Sequence, residues 1–165
     1  MFPEALRDRA RDLLEQARGK KLRIATAESC TGGLIAGLLT EIPGSSDVVE
    51  RGFVTYSNEA KEELLGVPAS LVKAHGAVSE QVCRAMAEGA LRHSHAQIAV
   101  AVTGIAGPSG GSREKPVGLV FIAVARNGRV TARECRFGDL GRDRVRLETV
   151  AEAIELLRGA VSFSP

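Results

Sequence analysis

Tryptophan is absent from this chain, tyrosine occurs once, at Tyr56, and phenylalanine five times. So sparse a set of rings argues against the aromatic platforms on which single-stranded nucleic acid stacks. Charge of one sign is not in excess either. The 22 basic and 20 acidic residues leave a net charge of +2, which gives no electrostatic reason to expect nucleic acid or an anionic membrane as a partner. No stretch approaches the roughly 18 apolar residues of a spanning helix. The opening segment MFPEALRDRARDLLEQARGK is charged throughout, where a secretory leader would be apolar. Cysteine is limited to Cys30, Cys83 and Cys135, an odd number without paired spacing, so neither a disulfide framework nor a zinc motif is indicated. His75, His93 and His95 do not fall into a metal-ligand pattern on one face. No metal and no cofactor are expected, and the expected compartment is a reducing cytoplasm.

What is present suits one compact domain spanning 1–165, with 44% hydrophobic and 25% charged residues and no repeat or linker. Glu4 to Arg18 has the apolar spacing of an amphipathic helix, with Ala5, Leu6, Ala10, Leu13, Leu14 and Ala17 on one side. LRIATA reads as a short strand, followed by a helix from about Thr31 to Leu39. VVERGFVTYS reads as a second strand ending near Tyr56, and NEAKEELLG as a short helix. PASLVKAHGAVS holds a helical turn, and Ser79 caps a longer helix through EQVCRAMAEGALRHS. QIAVAVTGIAG is almost continuously apolar, as expected of a strand covered on both faces. Asn127-Gly128 marks the tight turn of a hairpin, and a final helix runs from about Arg142 to Leu157. This alternation predicts an α/β fold: a three-layer α/β/α sandwich around a mixed, mostly parallel sheet with one antiparallel hairpin.

Ligands of such sheets gather beyond the carboxyl ends of the parallel strands, and three polar segments fall at predicted strand ends. The first, ESCTGG, places Ser29 and Cys30 before a helix whose opening N–H groups, at Thr31, Gly32 and Gly33, could hold a phosphate or an oxyanion. The alternative is that Ser29 or Thr31 merely caps the helix. Cysteine attacks only as thiolate, so Ser29 ranks above Cys30 if a base exists. The second segment, TYSNEAKEEL, offers Lys61 in the first turn of a helix, against the helix dipole. Lysine is by type a surface residue, and burial is what would make Lys61 a base. A serine paired with a lysine is a known variant of nucleophile activation, and Tyr56 could orient that lysine or relay a proton. The third segment, TGIAGPSGGSREKPVG, brings Thr103 from a strand end and the backbone donors of Gly110 and Gly111 from a flexible loop, a candidate phosphate or ribose cradle. It matches neither a Walker loop nor a dinucleotide fingerprint. Arg142, opening the last helix, could reach an anionic substrate.

These stretches, with TAESCTGGLIAGLLTEIPGSS, RGFVTYSNEAKEELLGV, GAVSEQV and AVTGIAGPSGG…KPVGLVFIAV at their head, closely resemble the CinA C-terminal domain family from about Leu6 to Leu157. The resemblance implies an α/β/α amidohydrolase, without a metal, that converts nicotinamide mononucleotide to nicotinate mononucleotide and ammonia in pyridine-nucleotide salvage. It further implies Ser29 as nucleophile, Lys61 as base and Tyr56 as assistant. Thr103 and Arg142 correspond to polar residues of the family site, and Cys30 to a neighbour of the attacker. Full-length CinA proteins carry a further N-terminal domain, so that domain's activities are expected to be absent here. Ser109 stands where relatives commonly have an acidic, glycine or threonine residue. The expected partner is a small nucleotide substrate, with no nucleic acid and no membrane, and a homo-oligomer is expected. The competing expectations are a catalytically silent nucleotide-binding module and a competence- or damage-associated interaction domain.

Overall fold

In the computed structural model residues 1–163 are described; the last two positions of the expected 1–165 domain lie outside the described residues. Helix α1 (Glu4–Gly19) leads into β1 (Ile24–Glu28), α2 (Leu34–Glu41) and β2 (Val49–Val54). Three helices follow, α3 (Asn58–Leu65), α4 (Ala69–His75) and α5 (Glu80–Arg92), then β3 (Ile98–Gly104), β4 (Leu119–Arg126), β5 (Arg129–Arg136) and α6 (Arg142–Ser162). The five strands form one sheet in the order β2-β1-β3-β4-β5. β1 runs parallel to both β2 and β3, while β4 is antiparallel to β3 and to β5. Only β4 therefore runs against the rest, and the mixed, mostly parallel α/β/α sandwich is the observed fold.

The two faces of the sheet are built from one alternation. Along β3, Ile98, Val100 and Val102 join the core under α1, α2 and α6, while Ala99 and Ala101 join the core under α5. Branched side chains fill the first interface, at about 1.5–3 kcal/mol for each large apolar side chain fully buried. The alanines on the second face let α5 lie close, and α5 answers with its own buried Ala87 and Ala90. The hairpin turn has both central residues in the left-handed region, Asn127 at φ 52° and Gly128 at φ 75°, as its sequence predicts.

Some boundaries differ from the sequence reading. β2 stops at Val54 and α6 runs on to Ser162. A further difference shapes the end of β1: α2 starts at Leu34, not Thr31, because Gly32 (φ 57°) and Gly33 (φ 103°) turn left-handed. Residues between β1 and α2 form a tight non-helical turn that such backbone angles all but reserve for glycine. Among the described residues no helix is long and apolar enough to cross a membrane.

Candidate active site

β1 ends in a carboxylate that no water reaches. Glu28 is fully buried and accepts three hydrogen bonds: from the Thr31 hydroxyl at 2.6 Å, the Ile35 amide at 2.7 Å and the Ala36 amide at 3.0 Å. It therefore satisfies the opening amides of α2, the place where an anion would otherwise sit. Sequence reasoning gave this capping to Ser29 or Thr31. The signal was Glu28 itself, an acidic residue closing an apolar strand, which is tolerable only if its charge meets donors. We expect Glu28→Gln to lower stability by about 2 kcal/mol, since it replaces charge-assisted bonds and turns an NH₂ toward donors. Urea unfolding measures this.

With the helix capped from behind, the turn presents Ser29. Its amide donates to the Val102 carbonyl of β3 at 3.1 Å, and its side chain is mostly enclosed. Lys61 reaches it from α3. Ser57 caps that helix, accepting from the Ala60 amide at 3.0 Å, and the cap aims Lys61 inward. Lys61 is 1% exposed, among the largest fully buried side chains. Its Nζ lies 3.2 Å from Ser29 Oγ, 2.9 Å from the Thr55 carbonyl, and 3.4 Å from each of the Tyr56 and Ser57 carbonyls. Among the described residues no carboxylate pairs with it. Desolvation consequently pulls its pKa below the ordinary lysine value of 10.5. Nζ thus faces three carbonyls and the Ser29 hydroxyl, and loss of one proton would leave two N–H groups for carbonyls and a lone pair for that hydroxyl.

Burial acts oppositely on the adjacent thiol. Cys30 is pushed up to about 12, chiefly by desolvation, so it is protonated and non-nucleophilic at neutral pH. Cys83 and Cys135 are likewise buried and free.

The remaining expected residues divide. Ser29, Cys30, Tyr56, Lys61, Thr103 and Arg142 share the wall of one cavity of about 210 Å³. Tyr56 does not touch Lys61 with its phenol, contrary to the expected relay. It is 63% exposed, and its hydroxyl accepts from Arg142 Nη2 at 3.0 Å, while Arg142 Nη1 donates to the Gly107 carbonyl at 2.9 Å. Tyr56 lies five residues before Lys61, and it is the backbone carbonyl that turns toward Nζ. The Thr103 hydroxyl donates to the Ala77 carbonyl at 2.9 Å and so props the loop before α5. Gly110 and Gly111, expected as a cradle, are exposed and outside the cavity wall. Thr31, Gly32 and Gly33 are not in that wall. The Gly32 amide is not available to an oxyanion, because it donates to the Ser29 carbonyl at 3.0 Å. Among the described residues the Cys30, Thr31 and Gly33 amides donate to no backbone carbonyl. Asn58 and Ala106 in the wall belong to the second and third segments, whereas Ala77 and Val78 lie outside all three and are brought there only by the tertiary fold. Sequence reasoning missed Arg146, which grips the turn from α6.

A buried serine–lysine pair at the carboxyl ends of parallel strands, on an α/β/α sandwich, sets the class to which this molecule compares. The chain belongs to the CinA C-terminal domain family, which its residues 6–161 match. A CinA-like protein of Anaeromyxobacter dehalogenans is 56% identical over 146 residues, 88% of this chain but 35% of that protein. The chain thus spans about a third of the length of the curated relatives it matches. Among solved structures, the competence/damage inducible protein CihA from Agrobacterium tumefaciens is 55% identical with a TM-score of 0.95, covering 99% of each chain. A CinA superfamily protein from Klebsiella pneumoniae is 32% identical with a TM-score of 0.91, covering 95% of this chain and 98% of that one.

Proposed function

We propose that this domain hydrolyses the carboxamide of nicotinamide mononucleotide, releasing nicotinate mononucleotide and ammonia. One observation carries the reading: Lys61 Nζ stands 3.2 Å from Ser29 Oγ with no acidic partner among the described residues, a base and nucleophile in contact. Ser29 Oγ attacks the carboxamide carbon as its proton passes to Lys61. The carbonyl oxygen takes the electron pair and faces the free amides of the turn. Collapse expels ammonia, which takes the proton back from Lys61, and leaves an ester on Ser29. Water then attacks that ester, giving its proton to Lys61. Collapse of the second intermediate restores the Ser29 hydroxyl and frees the acid. The choice of substrate rests on the motif resemblance. The cavity, about 210 Å³, is below the roughly 300–1,000 Å³ that enclose a whole drug-sized ligand, so on this reading only part of the nucleotide enters it. It suits the reacting ring, with the charged remainder at the rim.

Arg142 stands at that rim with N–H groups to spare beyond its two bonds. Arg142→Ala is expected to raise KM about tenfold with kcat little changed, as removal of a charge-assisted contact formed equally in ground and transition states does. An unchanged KM would remove Arg142 from substrate binding. The experiment for the reaction itself is ammonia release from nicotinamide mononucleotide by the purified protein, with the acid product identified by mass. A folded protein that binds the nucleotide without releasing ammonia overturns the reading. Relatives carry names that mention competence and damage; a second reading, a competence- or damage-associated interaction domain, predicts indifference to the loss of Ser29.

A further inference from the structure

The two free amides nearest the nucleophile, those of Cys30 and Thr31, belong to peptide planes whose carbonyls are pinned. In a trans peptide the C=O and N–H point in opposite directions, so whatever holds one aims the other. The Ser29 carbonyl accepts from the Gly32 amide at 3.0 Å, and this fixes the Cys30 N–H within the turn itself. The Cys30 carbonyl has no such local partner. It accepts from Arg146 Nε at 3.1 Å, and Arg146 Nη2 donates to the neighbouring Thr31 carbonyl at 3.2 Å. Arg146 comes from α6, 116 residues along the chain, and is not in the cavity wall. It therefore approaches the turn from outside the site, and by holding the Thr31 carbonyl it sets the Gly32 N–H of the same peptide, whose bond to the Ser29 carbonyl in turn fixes the Cys30 N–H. Packing sharpens the grip: a Cβ on Gly32 would stand 3.4 Å from Arg146 Nη2. On the other flank the Glu28 carboxylate holds the Thr31 hydroxyl at 2.6 Å. The turn is clamped by opposite charges, neither of which touches the cavity.

We propose that Arg146 is a positioning residue for the hydrolytic reaction: its two-pronged hold on the Cys30 and Thr31 carbonyls sets the turn so that the amide of Cys30, which lines the cavity, faces the developing oxyanion. Lysine cannot replace it, because a single ammonium does not span two carbonyls in the fork geometry of a guanidinium. This inference rests on the serine-hydrolase reading of the site, and its test reads the serine with and without the nucleotide.

The test compares wild type with Arg146→Ala and Arg146→Lys, checking first by circular dichroism that each is folded. Ammonia release from nicotinamide mononucleotide gives kcat and KM. In parallel, intact-mass measurement follows a small alkyl fluorophosphonate, which forms a bond from phosphorus to Ser29 Oγ as the P–F bond breaks; fluoride leaves and Lys61 takes the serine proton. Because the phosphoryl oxygen also gains charge, the probe needs the same donors without any nicotinamide. Misaiming one oxyanion donor is expected to cut kcat and the labelling rate alike by about 10- to 100-fold, with KM within about threefold. Millimolar methylguanidine should restore part of both rates in Arg146→Ala and none in Arg146→Lys. A labelling rate within threefold of wild type in Arg146→Ala overturns the proposal while leaving the hydrolase reading intact. So does a loss that methylguanidine leaves untouched and that follows the fall in melting temperature, the pattern of a purely structural arginine. Wild type that is labelled but releases no ammonia defeats the nicotinamide reading alone, and a slowed Arg146→Ala would still uphold the clamp. Wild type that is neither labelled nor active overturns both.

Discussion

Ser29→Ala is expected to lower ammonia release by at least about 10⁴-fold while leaving the protein folded, as removal of the nucleophile does in serine hydrolases generally. The serine hydroxyl makes one side-chain contact in the site, to Lys61 at 3.2 Å, and its loss removes no support from the core. Melting temperature should therefore move little, which separates a chemical defect from a structural one. The control is Cys30→Ala. Its thiol, pushed up to about 12 by burial, contributes no nucleophile at pH 7, so this variant should keep turnover within about tenfold of wild type. Ammonia release by both variants, beside wild type, distinguishes the two adjacent side chains. Full activity in Ser29→Ala with none in Cys30→Ala would transfer the chemistry to the thiol and refute the assignment.

Where the sequence was readable, a local rule governed the residue. Ser57 and Ser79 each accept from the amide three residues on, the pattern their position before an amphipathic run implies. The alternation of branched residues and alanine in β3 states both that the strand is central and that its two faces pack differently. Lys61 was half readable. Its place in the first turns of α3 was plain, but its burial follows from where β1 and β3 put Ser29, which no local pattern encodes. Tyr56 failed for a related reason. Its neighbourhood to Lys61 in sequence suggested a shared site, and the two do share a cavity wall, but the direction of the phenol was set by Arg142, 86 residues away. The carbonyl went inward and the phenol outward to Arg142. Arg146 was invisible because arginine on a helix reads as surface, and the carbonyls it serves lie more than a hundred residues earlier in the chain.

Lys61→Met is expected to abolish measurable turnover, about 10³- to 10⁴-fold for a general base that also returns the proton to the leaving amine. The variant tests more than the base, because the same burial that makes Lys61 reactive must tax the fold. The neutral amine is the working form, so wild-type kcat/KM should rise with pH along a limb centred below 10.5, the ordinary lysine value from which desolvation lowers it. Arg142→Ala should keep that limb, since it lies at the rim and not on the lysine. Stability runs the same way. With the folded-state pKa depressed and the unfolded one at 10.5, the unfolded chain binds more protons between those two values. Wild type must then gain stability relative to Lys61→Met as pH rises through that window, and its disadvantage must be greatest and constant below it. Urea unfolding of the two proteins at a series of pH values measures the difference directly. A flat difference would mean that the ammonium survives burial, held by the carbonyls of Thr55, Tyr56 and Ser57. In that case Lys61 could not accept the serine proton, and the three carbonyls would be a cation cage rather than the frame of a base. A rising difference, together with the activity limb, would tie the cost to the fold and the rate of reaction to a single proton on Nζ.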